Sequence, residues 1–434
     1  MNIGFVSLGC SKNLVVTEEI IGLFKKHNYN IVDNVLDADI ILINTCGFIN
    51  SAKKEGIDTI LEMADYKKNK CKYLIVTGCL VQRYKEELEK ELPEVDLFIS
   101  IKEYENLWKE VDNLVNNKHS VDKFDYTDRL ISTGETMAYL KIAEGCNNYC
   151  TFCAIPYIQG KYISRKYEDI IDEAKSLVKK GYSELVVIAQ DTTKYGYDLY
   201  KKERLPELLK DLANIEGIKW IRFLYSYPET ISDELIEVVK TSDKICHYFD
   251  IPIQHISDKV LRKMNRKSDG NSIRRLIKKI RKEIPDVILR TTLIVGFPGE
   301  TEEDFNELYD FVKEVRFDRL GAFKYSKEEG TAASLMEDQI DYKIKNKRYN
   351  KIMKIQQGIS KELMKDKIGK VYSCIIENIS DDGEFFIGRS YMDVPSEDGV
   401  IYIEYDSSIV INQYVDVLIT NSSEYDLYGK ILNK

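Results

Sequence analysis

Nowhere does the chain offer the run of about 18 apolar residues that a membrane-spanning helix needs, so no membrane span is expected. The opening residues, MNIGFVSLGCSKN, lack the basic-then-apolar layout of a secretory leader and read instead as a strand. A cytoplasmic protein is the expectation. Basic charge is also in deficit: 63 Lys and Arg face 72 Asp and Glu, a formal net charge of −9. That balance argues against a generally basic surface that coats nucleic acid. The nine cysteines are an odd number for a disulfide framework, and in a reducing compartment paired cysteines would be unusual in any case. Metal or redox use is the better explanation of them. What remains is ordinary: 434 residues, 44% apolar and 31% charged, enough for roughly three domains with conventional cores.

The first stretch, to about residue 125, alternates short apolar runs with amphipathic segments. The runs are 3–8, 39–44, 73–77 and 95–100, with helical patterns such as 17–27 and 51–65 between them. Such alternation predicts a parallel sheet with helices on its faces. Residues 112–135 are polar and poor in periodicity, and read as a linker. From about 136 to 330 the alternation restarts, with six candidate strands at 138–143, 184–190, 219–225, 247–253, 287–295 and 319–325. Repeated strand–helix units imply right-handed crossovers, and six of them predict an open, partial (β/α)6 barrel. Residues 341–366 read as one long Lys-rich helix. The tail from about 369 offers β-rich runs, VYSCIIENI, EFFIGRS, VIYIEY and YVDVLIT, punctuated by Asp-Gly turns. It predicts a small antiparallel β-barrel of the OB-like kind. The expected fold class is thus α/β with a terminal barrel, divided as 1–125, 132–366 and 367–434.

Cys146, Cys150 and Cys153 lie in GCNNYCTFCAIP, a C-x-x-x-C-x-x-C loop directly after the first strand of the second unit. Ordinary 4Fe–4S clusters use four cysteines, so a three-cysteine loop leaves one iron open to chelate a ligand. Chemistry on such barrels sits at the carboxyl ends of the strands, where this loop falls. A zinc site would call for C-x-x-C pairs with a second pair or histidines, and no such partner follows. Cys10, Cys46 and Cys79 each follow an apolar run immediately: IGFVSLGC, DIILINTC and YLIVTGC. If those runs are parallel strands of one sheet, all three thiols emerge at the carboxyl edge, where open α/β sheets bind ligands. Crowded thiolates repel unless a metal neutralises them, which favours a second cluster; the alternative is three small buried hydrophobes. Cys71, Cys246 and Cys374 have no partner at useful spacing and read as buried thiols.

The two three-cysteine sets followed by a small β-barrel resemble the methylthiotransferase family of radical S-adenosylmethionine enzymes. The resemblance spans essentially the whole chain. Within the family it is nearest the RimO type, which modifies an aspartate of ribosomal protein S twelve. The segments that carry it are YLKIAEGCNNYCTFCAIP, AQDTTKYGYDLY, IPIQHISDKVLRKMNR, RTTLIVGFPGETEEDF, FKYSKEEGTAA and EYDLYG. Relatives of the tRNA-modifying MiaB type carry GQNV-like residues where this chain has Gln190, Asp191, Thr192 and Thr193. The resemblance implies two 4Fe–4S clusters, one on Cys146, Cys150 and Cys153 and one on Cys10, Cys46 and Cys79. It implies S-adenosylmethionine in two roles, methyl donor and source of a 5′-deoxyadenosyl radical that takes a hydrogen from the β-carbon of the target aspartate. No side chain does that by acid–base means, so the cofactor must. It further implies a terminal TRAM domain that recognises substrate, and an electron donor such as flavodoxin or ferredoxin.

By the same resemblance Phe152, Gly296, Gly299 and Glu300 belong to the cofactor site, and Gln190 and Asp191 could reach the cofactor from the end of the second strand. VGFPGE also reads as a tight strand–helix turn, and Asp191 as a cap of the segment that follows it. Gln254 and His255 end the fourth strand and could line the pocket; His255 reads more simply as a hydrogen-bonded structural histidine. Arg165 and Arg290 could pair with carboxylates. From residue 368 onward, four basic residues face twelve acidic ones, so the tail should repel RNA and suit a basic protein. Direct tRNA binding is not expected. The competing readings are a tRNA methylthiotransferase and a cluster-bearing electron carrier.

Overall fold

The computed structural model describes residues 1–115 and 126–432. The expected linker therefore lies partly outside the described residues, at 116–125. Its first four residues belong instead to the helix Leu107–Val115.

Five strands form the amino-terminal sheet: β1 (Asn2–Ser7), β2 (Asn30–Ile31), β3 (Ile40–Thr45), β4 (Tyr73–Gly78) and β5 (Leu97–Ile99). They run parallel in the order β2-β1-β3-β4-β5. Every residue of β3 is buried, because helices cover both faces, and successive side chains serve opposite cores. Ile41 and Ile43 pack with Leu80 and Val81 of helix α3 (Cys79–Glu91) and Ile60 of α2 (Asn50–Asp65). Ile40 and Leu42 pack with Ile20 and Phe24 of α1 (Ser11–Lys26) and with Trp108. Burying each of these large apolar side chains contributes about 1.5–3 kcal/mol.

The central unit contains β6 (Met137–Lys141), the short pair β7 (Ala143–Glu144) and β8 (Ile163–Ser164), then β9 (Glu184–Ile188), β10 (Trp220–Phe223), β11 (Tyr248–Asp250), β12 (Ile288–Val295) and β13 (Arg319–Lys324). Parallel pairing joins β6-β9-β10 and β11-β12-β13. A single parallel bridge, Ile221 to Ile245, links the two halves. The six principal strands thus make one arc with β6 and β13 as its edges, the expected partial barrel. The helix Tyr342–Lys365 packs against β13.

The tail folds into a closed barrel of five strands, β14 (Val371–Ile379), β15 (Phe385–Ser390), β16 (Ile401–Glu404), β17 (Tyr414–Ser422) and β18 (Leu427–Ile431). The expected antiparallel barrel forms, with four of its five pairings antiparallel and one, β16 with β18, parallel, Ile401 opposite Leu427. Strand directions cannot alternate all the way around a closed ring of odd number, so one parallel pair is obligatory. The strand overlooked in the sequence is β18, where Gly429 and Lys430 interrupt the apolar pattern. Among the described residues no helix is long and apolar enough to cross a membrane.

Candidate active site

Cys10, Cys46 and Cys79 emerge at one edge of the amino-terminal sheet. Register sets Ser7 beside Asn44 and Thr45 beside Gly78, so β1, β3 and β4 end at nearly the same level. Cys10 caps α1 and Cys79 opens α3; a helix amino terminus favours an anionic thiolate. Gly78 adopts φ +99°, and a Cβ there would lie 2.3 Å from Asn44 Oδ1. Only glycine lets β4 turn so sharply into Cys79. Asn13 laces the edge together: its Nδ2 donates to Leu8 O at 2.9 Å and Thr45 O at 3.0 Å. Burial, followed by the neighbouring Cys46 and Cys10, pushes the Cys79 thiol up to about 12, and burial raises Cys46 as well.

The second set rides on the loop after β7. Asn148 N donates to Cys146 Sγ at 3.5 Å, while its side chain is clamped by Asp191 at 2.8 Å and Lys194 at 2.6 Å. Arg266 Nη1 lies 3.8 Å from Cys150 Sγ and its guanidinium covers the Tyr227 ring at 4.2 Å. Burial pushes Cys153 up to about 12 and Cys146 to about 11, with the other thiols of the loop adding to it. Both sets therefore hold thiols that would ionise only beside strong positive charge, which an iron–sulfur cluster supplies. Among the described residues no three His, Cys, Asp or Glu converge tightly enough for a single ion; a cluster spreads its ligands over several irons.

A cavity of about 380 Å³ opens beside the first set and reaches Ala143, Glu144 and Ile155, which flank the loop of the second. Its walls include Cys10, Cys46 and Cys79, Gln159 from the segment following the cysteine loop, and Gln190, Tyr225, Asp250 and Arg290 from the central arc. Gln159 Nε2 donates to Cys79 Sγ at 3.4 Å, so the two units meet at this thiol. Next to it lies a larger cleft of about 860 Å³, sharing Cys10 and Glu397 with the first cavity. Glu135, Glu377 and Glu397 line this cleft, with no Lys or Arg among its lining residues.

The remaining expected residues divide. Gln190 lines the first cavity. The Asp191 carboxylate is engaged by Asn148 and Thr193 and so braces the cysteine loop; it makes no side-chain cap. Phe152 packs beside Val260, Met264 and Phe297. Gly296 and Gly299 both have positive φ. Glu300 accepts from the Gly296 and Phe297 amides and from Arg348, so its carboxylate closes the VGFPGE turn; burial raises it to about 7. His255 is fully buried, its Nδ1 accepts from Ser257 N at 3.0 Å, and burial lowers it to about 3. It is a neutral structural group. Gln254 has φ +70°, and its Nε2 donates to Pro252 O. Arg165 pairs with buried Glu173 at 2.6 Å, whereas Arg290 reaches the cavity. Cys71, Cys246 and Cys374 are buried, as expected. Lys12, Asn13, Gln159, Tyr225 and Arg266 went unnoticed in the sequence. The dipeptide Gly-Cys, which occurs at 9–10, 78–79 and 145–146 with each glycine at positive φ, was a readable sign of the sharp turns.

Three family models match the chain: the radical SAM superfamily over residues 140–312, the uncharacterized protein family UPF0004 over 2–100, and a TRAM domain over 368–432. A protein of Alkaliphilus oremlandii named ribosomal protein uS12 methylthiotransferase RimO is 62% identical over 433 residues, 99% of each chain. The chain belongs to the RimO family. A RimO of Clostridioides difficile is 51% identical, covering 100% of this chain and 99% of its own. As a RimO-family member the protein is a radical S-adenosylmethionine methylthiotransferase, a transferase that uses an iron–sulfur cluster and S-adenosylmethionine. Among solved structures, the radical S-adenosylmethionine methyltransferase TsrM of Kitasatospora setae superposes with TM-score 0.56 at 10% identity, covering 74% of each chain. The cobalamin-dependent S-adenosylmethionine radical enzyme OxsB gives 0.52 at 13% identity over 88% of this chain and 62% of its own. At these identities the likeness shows the fold alone.

Proposed function

We propose that the protein inserts a methylthio group at the β-carbon of an aspartate in ribosomal protein S twelve, using two clusters. The observation that carries this is the cavity walled in part by Cys10, Cys46 and Cys79 and adjoined by a cleft whose lining includes Glu135, Glu377 and Glu397. One cluster is held by Cys146, Cys150 and Cys153, the other by Cys10, Cys46 and Cys79. With S-adenosylmethionine bound, they supply the one-electron chemistry and the sulfur that no side chain provides. The chain's own residues do the rest. Asp191 and Lys194 fix Asn148 and with it the cysteine loop. Asn13 and Gln159 hold Cys79 against the cavity. Gly296 and Gly299, both at positive φ and closely approached by Lys345 and Lys263, shape the turn after β12 proposed to meet the cofactor, and Gln190 lines the cavity.

The three expected units, 1–125, 132–366 and 367–434, are the division of labour in this reading: auxiliary cluster, radical chemistry and substrate recognition. Flavodoxin or ferredoxin is the proposed electron donor, and the cytoplasm the proposed location. The tail's charge takes a revised form. Of its twelve acids, Glu377, Asp393, Glu397 and Asp398 face Arg389, Arg319 and Arg290 within the fold. Asp381, Asp382, Glu384, Glu404 and Asp416 remain exposed. Near several of them Tyr402 and Tyr428 stack at 5.3 Å, with Phe385 edge-on to both. A face of acids and aromatic rings suits the Arg and Lys of a basic protein and offers nothing to displace counterions from RNA. Mass spectrometry of ribosomal proteins and tRNA from cells with and without the gene tests this. Loss of the modification from S twelve alone is expected; loss from tRNA alone would give the tRNA reading its place.

A further inference from the structure

Among the described residues two cations line the cavity beside Cys10, Cys46 and Cys79, and they are not equivalent. Arg290, on β12, is bound by Glu397 and lies 3.7 Å from Asp250 Oδ1 and 4.0 Å from Asp398 Oδ1. Its charge is already met. Lys12 stands in the first turn of α1, two residues after Cys10. Among the described residues it has no carboxylate within the 4.0 Å of an ion pair, and its Nζ sits 3.3 Å above the centre of the Tyr225 ring. Tyr225 is itself held in an unfavourable conformation, φ +61°, which costs of order 1–3 kcal/mol for a non-glycine residue. Asp250 enforces it by accepting from Tyr225 N at 2.9 Å, and Tyr225 O accepts from Thr192 N at 3.3 Å. The fold thus maintains strain at the cavity wall where a ring underlies an ammonium that, among the described residues, no carboxylate pairs.

We propose that Lys12 receives the side-chain carboxylate of the target aspartate. This deepens the proposed function and rests on it. In an aspartate the reacting β-carbon is directly bonded to the carboxylate carbon, so gripping one positions the other. A carboxylate on Lys12 sets that carbon beside the Cys10, Cys46 and Cys79 edge, the arrangement that converts encounter into reaction. Val16, Phe48, Ile155 and Phe323 make much of the remaining wall apolar, which strengthens a charge-assisted hydrogen bond formed there. The same wall acts against neutral side chains, because they leave the ammonium desolvated and unmatched. Tyr225 fixes the height and direction of the ammonium; Lys12 is the specificity-determining group.

The test compares S twelve carrying the native aspartate with S twelve carrying asparagine there, using the reconstituted full-length enzyme. Wild type should prefer the aspartate form by about 100-fold or more in kcat/KM, the discrimination expected when a buried charge loses its partner. Lys12→Met should bring the two forms within about tenfold of each other, mainly by lowering turnover of the aspartate form, and Lys12→Arg should restore much of the preference. Iron content shows whether Lys12→Met still holds its clusters. Should that variant lose iron, Tyr225→Leu removes the ring without touching a cysteine and should reduce the preference about tenfold. A wild-type enzyme that modifies both forms alike, or variants that keep the wild-type ratio, would overturn the assignment. A wild-type enzyme that modifies neither form would instead overturn the substrate reading itself.

Discussion

Replacing Glu184 by Gln should loosen the terminal barrel from the rest of the molecule. Glu184 opens β9 and is 1% exposed. Its Oε2 lies 2.7 Å from Arg389 Nη2 of the terminal barrel, and its Oε1 3.3 Å from Arg222 Nε. Both arginines are buried, and Arg389 also meets Glu377 at 2.6 Å. Removing one partner from a buried ion pair costs about 3–5 kcal/mol. Glutamine keeps the volume and one acceptor, and Arg389 retains Glu377, so the lower end applies, about 3 kcal/mol by the same rule. At tenfold per 1.4 kcal/mol, the open population rises by about 100-fold. Amide hydrogen exchange reads such local opening: amides in β14 and β15 should exchange about 100-fold faster, while those of β3 and β4 keep their wild-type rates. Unchanged exchange in β14 and β15 would refute the reasoning, as would equal acceleration everywhere. Acid should act in the same direction. Burial alone would raise the Glu184 carboxyl, but Arg389 and Arg222 more than offset it and hold it below its ordinary value. Its stabilisation is therefore present above the unfolded value of about 4.3 and lost as pH falls through the lower folded one.

Cys150→Ala should abolish cleavage of S-adenosylmethionine while leaving about half the iron, since one of two clusters loses a ligand; iron assay and product chromatography check it. Cys46→Ala should stop methylthio insertion while cleavage of S-adenosylmethionine continues, and full methylthiolated product from this variant would remove the second cluster from the account. Reversing Asp381, Asp382 and Glu384 to Lys should raise the Michaelis constant for S twelve and flatten its salt dependence, because exposed charges are screened beyond about 8 Å at physiological ionic strength; steady-state kinetics across a salt series is the check.

The strands and both cysteine sets could be read from the sequence because their signals are local. Apolar runs ending in Cys10, Cys46 and Cys79 state both the sheet and its carboxyl edge, since a parallel strand covered on both faces must be apolar throughout. The helix beginning at Cys79 is implied by the alternation but carries a weak pattern of its own: after Cys79, Leu80 and Val81 it is mostly charged, and only Leu88 of its later turns is buried. The pairing of Glu184 with Arg389 spans 205 residues, and no spacing rule reaches that far. For the same reason the twelve acids of the tail read as surface charge, although four of them answer arginines inside the fold. Glu300 shows the opposite limit. The resemblance places it at the cofactor site, the local pattern reads as a turn, and the turn's own amides and Arg348 hold its carboxylate. Lys12 was invisible because its meaning depends on Tyr225, distant in sequence and held in a conformation that residue type does not announce.

The most direct measurement is a competition in one vessel: the reconstituted enzyme, S-adenosylmethionine, a reductant, purified ribosomal protein S twelve and unmodified tRNA, followed by mass spectrometry of both macromolecules. The account predicts a methylthio group on one aspartate of S twelve, none on the tRNA, and none on either when Cys46 or Cys150 is replaced. A methylthiolated nucleoside with S twelve left untouched would contradict it.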